Sequence, residues 1–315
     1  MGDYLVSTAI LLTAFNGSAH LPQLLESLRS QTDRDFFVLM QDDGSADETQ
    51  NILNEAAARD SRFIFGTEQG MHLGAAGNFL SLIRQADADY CLLCDQDDVW
   101  EPEKISVLKQ AVLNLEKEYG SEKPLLVHSD CSLIDEAGEK LGDSFFRHQG
   151  WDPAAVSLQQ LLVQNNVTGC TLIMNRPLRK LIAAHARAKD LFMHDWFIAL
   201  SAASFGRIAF VDRPLTRYRQ HEGNVIGASA RSLLARGISA LRDGKNAKRR
   251  ILLTYTHAMV FRKLYGDTLP PRAQEIVDAY LSTRRMKKIP RVLAVRRMGC
   301  VMQSPVTRLG QILFG

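Results

Sequence analysis

Three acidic residues in four follow one apolar run: Tyr90-Cys91-Leu92-Leu93-Cys94 leads straight into Asp95-Gln96-Asp97-Asp98. Carboxylates this close repel one another unless a cation neutralises them. An Asp-x-Asp at a strand end suits Mg²⁺ or Mn²⁺, which take oxygen ligands and commonly bridge carboxylates to a diphosphate. The expected leaving group is then a nucleoside diphosphate. A second acidic pair lies in Gln41-Asp42-Asp43-Gly44-Ser45, and Thr13-Ala14-Phe15-Asn16 closes the first apolar run. For Asp42 to Ser45 alone a plain strand-to-helix turn competes, because Asp, Gly and Ser are ordinary turn and cap residues. No G-x-x-x-x-G-K-[ST] is present to cradle phosphate by backbone alone, and the first turn lacks G-x-G-x-x-G, so ATPase and dehydrogenase readings lose ground.

His194-Asp195 is a further candidate. Ahead of Trp196-Phe197-Ile198 the Asp could simply begin a helix. A carboxylate near the pocket would also suit a general base that takes a proton from an attacking hydroxyl. His128-Ser129-Asp130 also follows an apolar run; it could floor a substrate pocket or cap a turn.

These residues need elements to hold them. Short β-rich runs alternate with helical patterns from Ser7 to about Asp98: strands over 8–14, 36–40, 63–65 and 90–94, and helices from Leu21, Asp47 and Gly74. Such alternation predicts βαβ units and a parallel sheet covered on both faces, an α/β fold. In open sheets of this kind ligands bind outside the carboxyl ends of the strands, where the polar clusters fall. Leu21, Leu24, Leu25 and Leu28 form one helical stripe, with Pro22 in the opening turn where a missing N–H is harmless. Further on, a helix is expected from Pro102, strands over 125–127, 171–174 and 208–211, helices after Pro177 and near His194, and a polar loop over 213–227. Cys91 and Cys94 read as core residues on opposite faces of a strand rather than as a redox pair.

Thr13-Ala14-Phe15-Asn16, Gln41-Asp42-Asp43-Gly44-Ser45, Gly74-Ala75-Ala76-Gly77-Asn78-Phe79, Asp95-Gln96-Asp97-Asp98-Val99-Trp100 and His194-Asp195-Trp196 together resemble the ordered motifs of family 2 glycosyltransferases over about residues 5–225. The Asp-Gln-Asp-Asp-Val-Trp and His-Asp-Trp elements are similar to the rhamnosyltransferase-like branch that builds bacterial surface polysaccharides. The resemblance implies a GT-A fold, an inverting reaction and a divalent metal, Mg²⁺ or Mn²⁺. It places Ala14, Asn16, Asp42 and Asp43 at the nucleotide, Asn78 near the base or ribose, Asp95 on the ribose side, Asp97 on the metal and Asp98 beside it. Asp195 becomes the general base, with His194 as its neighbour, and His221 completes the metal site, imidazole being an acceptable Mn²⁺ ligand. Arg217 and Arg219 could then meet diphosphate oxygens, Arg being a natural fork for phosphate. His72 stands where a basic residue is usual near the third strand.

The net charge of +3 conceals an asymmetry: residues 231–315 hold 18 Lys/Arg and 4 Asp/Glu, a net of +14, which leaves −11 for residues 1–230. The expected organisation is a catalytic domain over 1–230 and a basic, mainly helical region over 231–315. From Ala279 to Gly315 there are eight Lys/Arg and no acid, with Val292-Leu293-Ala294-Val295 and Ile312-Leu313-Phe314 interspersed. A solvated helical face and nucleic-acid contact compete here with a membrane-surface anchor, which the mixture of apolar and cationic side chains favours. No stretch approaches the roughly 20 apolar residues of a membrane span, and the N-terminus lacks a cationic flank, so the expected location is the cytoplasm, peripheral on the inner membrane face. The expected reaction moves a sugar, L-rhamnose from a dTDP donor or alternatively a hexose from UDP, to a hydroxyl of a lipid-linked or cell-surface glycan. Rival classes are a non-catalytic sugar-nucleotide-binding scaffold, against which the intact Asp95, Asp97 and Asp195 argue, and a nucleic-acid-binding protein, against which the acidic first 230 residues argue.

Overall fold

A computed structural model describes residues 7–220 and 244–314. His221 and the expected boundary near residue 230 lie outside the described residues. The described strands form one nine-stranded mixed sheet. Its first half is the anticipated βαβ succession: β1 (Thr8–Ala14), α1 (Leu21–Arg29), β2 (Phe37–Asp42), α2 (Thr49–Arg59), β3 (Phe63–Phe65), α3 (Gly74–Gln85) and β4 (Tyr90–Asp95). The four strands pair in parallel, β1 flanked by β2 and β4, so their carboxyl ends open on one side.

Side-chain alternation divides the core in two. Ala9, Leu11, Cys91 and Leu93 face α3, while Ile10, Leu12, Leu92 and Cys94 face α1, with Leu21, Leu24, Leu25 and Leu28 beneath them. Cys91 and Cys94 are thus on opposite faces, and all five cysteines are free and buried. Burial on both faces explains why these strands are continuous apolar runs.

The second half adds β5 (Val99–Trp100), α4 (Lys104–Tyr119), β6 (Leu125–Ile134), β7 (Lys140–Gly142), α5 (Phe145–Gln149), α6 (Leu158–Leu161), β8 (Leu172–Asn175), α7 (Arg176–His185), α8 (His194–Phe205) and β9 (Arg207–Arg219). β8 runs antiparallel between β4 and β6, and β9 lies parallel to β6 and antiparallel to β5. The loop expected from Arg213 is corrected as far as Arg219: β9 continues there because β6 itself runs on, pairing Ser132 with Arg217 and Ile134 with Arg219. The register shifts at Asp130 opposite Pro214, whose missing N–H interrupts the ladder and masks the strand in the sequence.

The described part of the basic C-terminal region, 244–314, forms α9 (Gly244–Tyr265), α10 (Pro271–Thr283), α11 (Lys288–Arg297) and α12 (Pro305–Phe314). It shares the core of the catalytic half. Phe197 and Tyr265 stack with centroids 5.6 Å apart, Tyr265 Oη donates to Ser201 Oγ at 2.7 Å, and the rings of Trp196 and His257 lie 4.6 Å apart. Phe261, Val277, Tyr280, Val295 and Cys300 complete the apolar cluster under α3 and α8. Among the described residues no helix is long and apolar enough to cross a membrane.

Candidate active site

The loops after β1, β2 and β4 meet in the crevice. Asn16 adopts φ +48, a left-handed conformation that Asn tolerates. Its N–H donates to Ser45 Oγ and its Oδ1 accepts from Ala46 N, both at 2.8 Å, stitching the first loop to the second. The Ala14 carbonyl accepts from Asp43 N at 2.8 Å. Gln96 ties the third loop in: its Oε1 accepts from Phe15 N at 2.7 Å and its Nε2 donates to Phe15 O at 2.9 Å. Gly17 leaves room for this strut, since a Cβ there would lie 2.2 Å from Gln96 Oε1 and displace it.

Both carboxylates of the second acidic pair hold backbone. Asp42 accepts from the N–H groups of Gly44 (3.2 Å) and Ser45 (3.0 Å) and from the Ser45 hydroxyl. Asp43 accepts from Leu73 N at 2.6 Å and Gly74 N at 2.8 Å, capping α3 from across the crevice, where a carboxylate suits the positive end of the helix dipole. Asn78 is buried on α3 and its Oδ1 accepts from Gln41 Nε2 at 2.5 Å. His72 has φ +52 and lies against Gly44. The second half of the sheet contains a similar cap: Asp130 accepts from Phe145 N (3.1 Å), Phe146 N (3.4 Å) and the Ser144 hydroxyl, so it starts α5. His128 is wholly buried beside Phe146 and Phe210, and burial pushes its pKa down to about 3.

The turn after β4 gathers the carboxylates. An oxygen of Asp95, an oxygen of Asp98 and Cys170 Sγ all lie within 4.8 Å of one another. Burial first, then the neighbouring Asp98, Asp97 and Asp195 carboxylates, raise the Asp95 pKa well above the usual range. Asp98 is raised as well, by burial and by Asp97, against the opposing pull of the Cys170 thiol, Lys104 and the Arg219 N–H. A buried carboxylate left in this state is costly. Oxygen donors suit Mg²⁺ or Mn²⁺, so Asp95 and Asp98 fit a divalent cation, with Asp97 on the same turn. Cys170 does not: burial drives its thiol pKa well up, and a protonated soft sulfur is a poor ligand for either ion.

Two residues unnoticed in the sequence support this cluster. Lys104, at the start of α4, is 0% exposed, lies 3.4 Å above the Trp100 ring and donates to the Cys170 carbonyl at 2.6 Å. Burial lowers its pKa to about 8, while Asp98 is among the neighbours that favour its charged form. Gly169, in the 3₁₀ turn Gly169–Thr171, donates its N–H to Asp195 Oδ2 at 3.2 Å, and Asp195 Oδ1 accepts from Trp196 N at 2.6 Å. Asp195 sits in the first turn of α8, 5% exposed, and burial raises its pKa to about 7 against these two hydrogen bonds. His194 lies tilted against Phe79 with centroids 4.3 Å apart, and burial lowers its pKa to about 4.

The arginines behave differently from expectation. Arg219 is 1% exposed and donates to the carbonyls of Asp97 (2.9 Å), Asp135 (2.9 Å) and Glu136 (2.8 Å) and to Gln23 Oε1 (2.7 Å). This corrects the diphosphate role: its fork is spent on pinning the Asp97 turn to β9. Arg217 pairs with Glu101 at 2.7 Å near the surface. Of the sequence-derived residues, Asn16, Asp42, Asp43 and Asn78 lie along β1–β2–α3, and Asp95, Asp97, Asp98 and Asp195 lie around β4 and α8.

Residues 9–121 match the profile of Glycosyl transferase family 2. The match shows a Glycosyl transferase family 2 domain over these residues, and the fold is of the GT-A type. The chain is 29% identical to dTDP-rhamnosyl transferase RfbG of Shigella flexneri over 231 residues, which cover 69% of this chain and 74% of that protein. It spans between 58% and 74% of the length of the first curated relatives it matches. Two solved structures share the fold at lower identity. S. aureus TarS 1-349 in complex with UDP-GlcNAc has a TM-score of 0.56 at 16% identity, covering 98% of this chain and 88% of that one. Mannosyltransferase PcManGT from Pyrobaculum calidifontis, in complex with GDP-Man and Mn²⁺, has a TM-score of 0.55 at 13% identity, covering 93% and 72%.

Proposed function

We propose that the protein transfers L-rhamnose from dTDP-L-rhamnose, with inversion, to a hydroxyl of a lipid-linked or cell-surface glycan at the cytoplasmic membrane face, and that the reaction depends on Mn²⁺ or Mg²⁺. The observation that carries this reading is the pairing of two acidic functions in one crevice: a crowded carboxylate cluster at Asp95–Asp98 and a separate buried carboxyl, Asp195, with a pKa near 7. A divalent cation held by Asp95, Asp97 and Asp98 would stabilise the charge that develops on a departing nucleoside diphosphate. Asp195, fixed by the Gly169 and Trp196 N–H groups, takes the acceptor hydroxyl's proton as that oxygen attacks the anomeric carbon from the face opposite the leaving group. Asn16, Asp43 and Asn78 line the nucleotide side.

The RfbG relative supports dTDP-rhamnose as donor, and the Mn²⁺ of PcManGT supports a metal. The UDP-GlcNAc of TarS keeps a UDP-hexose as the second reading. A thermal-shift panel of dTDP- and UDP-sugars with and without Mn²⁺ decides between them. The largest metal-dependent stabilisation is expected with dTDP-L-rhamnose and is expected to vanish in Asp97→Ala. Metal-independent binding in the wild type would overturn the metal assignment, and preference for a UDP-sugar would replace the donor.

A further inference from the structure

A second polar cleft lies away from the carboxylates. The end of α7, the 3₁₀ turn Ala188–Asp190 and the last turns of α9 enclose about 460 Å³ lined by His185, Arg187, Lys189, Asp190, Lys263 and Leu264. Three exposed cations, Arg187, Lys189 and Lys263, share this lining with one carboxylate, Asp190. Nearby Arg176 and Arg262 are paired with Asp89 and Asp278, whereas Arg187, Lys189 and Lys263 make no ion pair among the described residues.

The frame of the cleft is held from behind. His185 stacks on Tyr265 with centroids 4.6 Å apart, and its Nδ1 lies 3.1 Å from the Leu181 carbonyl. Arg84 donates to the Ala186 carbonyl at 2.8 Å, fixing the chain where it leaves α7. Like charges held together in a concavity on a fixed frame favour a multiply charged anion, and an Arg beside two Lys supplies both a planar fork and mobile point charges. The 3₁₀ turn at the edge of the cleft packs against α3. A Cβ on Gly77 would touch Ala188 Cβ at 3.7 Å, one residue from Asn78, and Asp195 follows Asp190 by five residues.

We propose that this cleft binds a phosphate or diphosphate group, and that the acceptor substrate carries it. This assignment of the source rests on the glycosyltransferase reading; the anion site itself does not. With two net positive charges the lining matches a diphosphate ester better than a neutral glycan, and its position beside the Asp195 helix would let such a group anchor an acceptor whose sugar hydroxyl reaches the base.

Calorimetric titration of inorganic pyrophosphate into the full-length protein in EDTA, which removes cation bridging at the carboxylates, tests the site. Arg187→Gln with Lys263→Gln is expected to weaken pyrophosphate binding by about tenfold or more, on the scale of one lost charge-assisted hydrogen bond. No binding by the wild type, or equal affinity in the double variant, overturns the site. The source is read from kinetics with one sugar presented as an alkyl diphosphate and as an alkyl glycoside. A KM increase in the variant confined to the diphosphate supports the acceptor; unchanged KM for both, with pyrophosphate binding lost, assigns the cleft to free phosphate anions and overturns that source. Mn²⁺-dependent dTDP binding, measured in parallel, is expected to be unchanged in the variant; its absence from the wild type would sink the donor reading without touching the pyrophosphate result.

Discussion

Gly169 and Asp195 meet closely: the Gly169 N–H donates to Asp195 Oδ2 at 3.2 Å, and a Cβ on Gly169 would press on His194 Nε2 at 3.2 Å and touch Asp195 Cβ at 3.5 Å. The contact fixes the direction of the proposed base. Asp195 works only when ionised, and burial has raised its pKa to about 7. The value of kcat/KM should therefore rise with pH through about 7 and level off above it, rather than near the 3.8 of an ordinary Asp. Asp195→Asn should lower kcat by about 10² or more while dTDP affinity stays intact. A flat profile across pH 7, or an asparagine variant with normal turnover, would remove Asp195 from the chemistry.

Gln96 lies between two carboxylates yet points away from them, closing two hydrogen bonds on the Phe15 backbone. It acts as a strut between the β1 and β4 loops. Gln96→Ala should raise the donor KM several-fold more than it lowers kcat, because the pocket widens while Asp195 on α8 is untouched. The two lost bonds should also cost about 1 to 3 kcal/mol in urea denaturation. An unchanged donor KM would show that the loops hold their spacing without it.

How far the sequence could be read follows the same division. β1 and β3, and the starts of α1, α3 and α8, coincide with expectation because apolar periodicity and loop punctuation act over a few residues. Asp95, Asp97 and Asp98 come together because one turn after β4 carries all three, and Asp195 reaches them from the first turn of α8. What was not legible depends on contacts across long separations. Asp43 caps a helix 30 residues away, Lys104 serves the carbonyl of Cys170, and Arg219 is consumed by carbonyls on two other loops. A lysine next to Glu103 after a proline reads as solvated surface; only the packed sheet shows it 0% exposed. The tail's part in the core escaped notice for a similar reason, since Tyr265 and Tyr280 bury their rings against distant helices while the local composition is dominated by cations.

Lys104 supplies the internal counter-charge of the carboxylate cluster and supports the turn that carries Gly169. Lys104→Met should destabilise the protein by about 3 to 5 kcal/mol, the usual scale for breaking a buried charge arrangement by removing one partner. Lys104→Arg should not restore full stability, because a larger head in a fully buried site costs about 1 to 3 kcal/mol of overpacking. Urea denaturation monitored by tryptophan fluorescence measures both; a change under about 1 kcal/mol for the Met variant would show that the cluster does not rely on this cation.

The C-terminal helices carry the proposed membrane contact on two exposed faces. Ile289 and Leu293 are 74% and 49% exposed on α11, and Leu309, Ile312 and Leu313 are each 40% exposed on α12. Lys287, Lys288, Arg296 and Arg297 lie in exposed positions around the α11 face. Truncation cannot test this surface cleanly, because Val295, Cys300 and Met302 belong to the core shared with α8; point substitutions can. Each cation near an anionic leaflet contributes about 1 kcal/mol, so changing those four to Gln should weaken binding to phosphatidylglycerol vesicles by about 10² or more. The remaining attraction should fall further as salt shortens the Debye length below about 8 Å. Ile289→Ser with Leu293→Ser should instead remove the part of binding that survives salt, since apolar insertion is not screened. Vesicle co-sedimentation at low and high salt separates these contributions, and equal recovery of the wild type and both variants in the pellet would show that neither face meets the membrane.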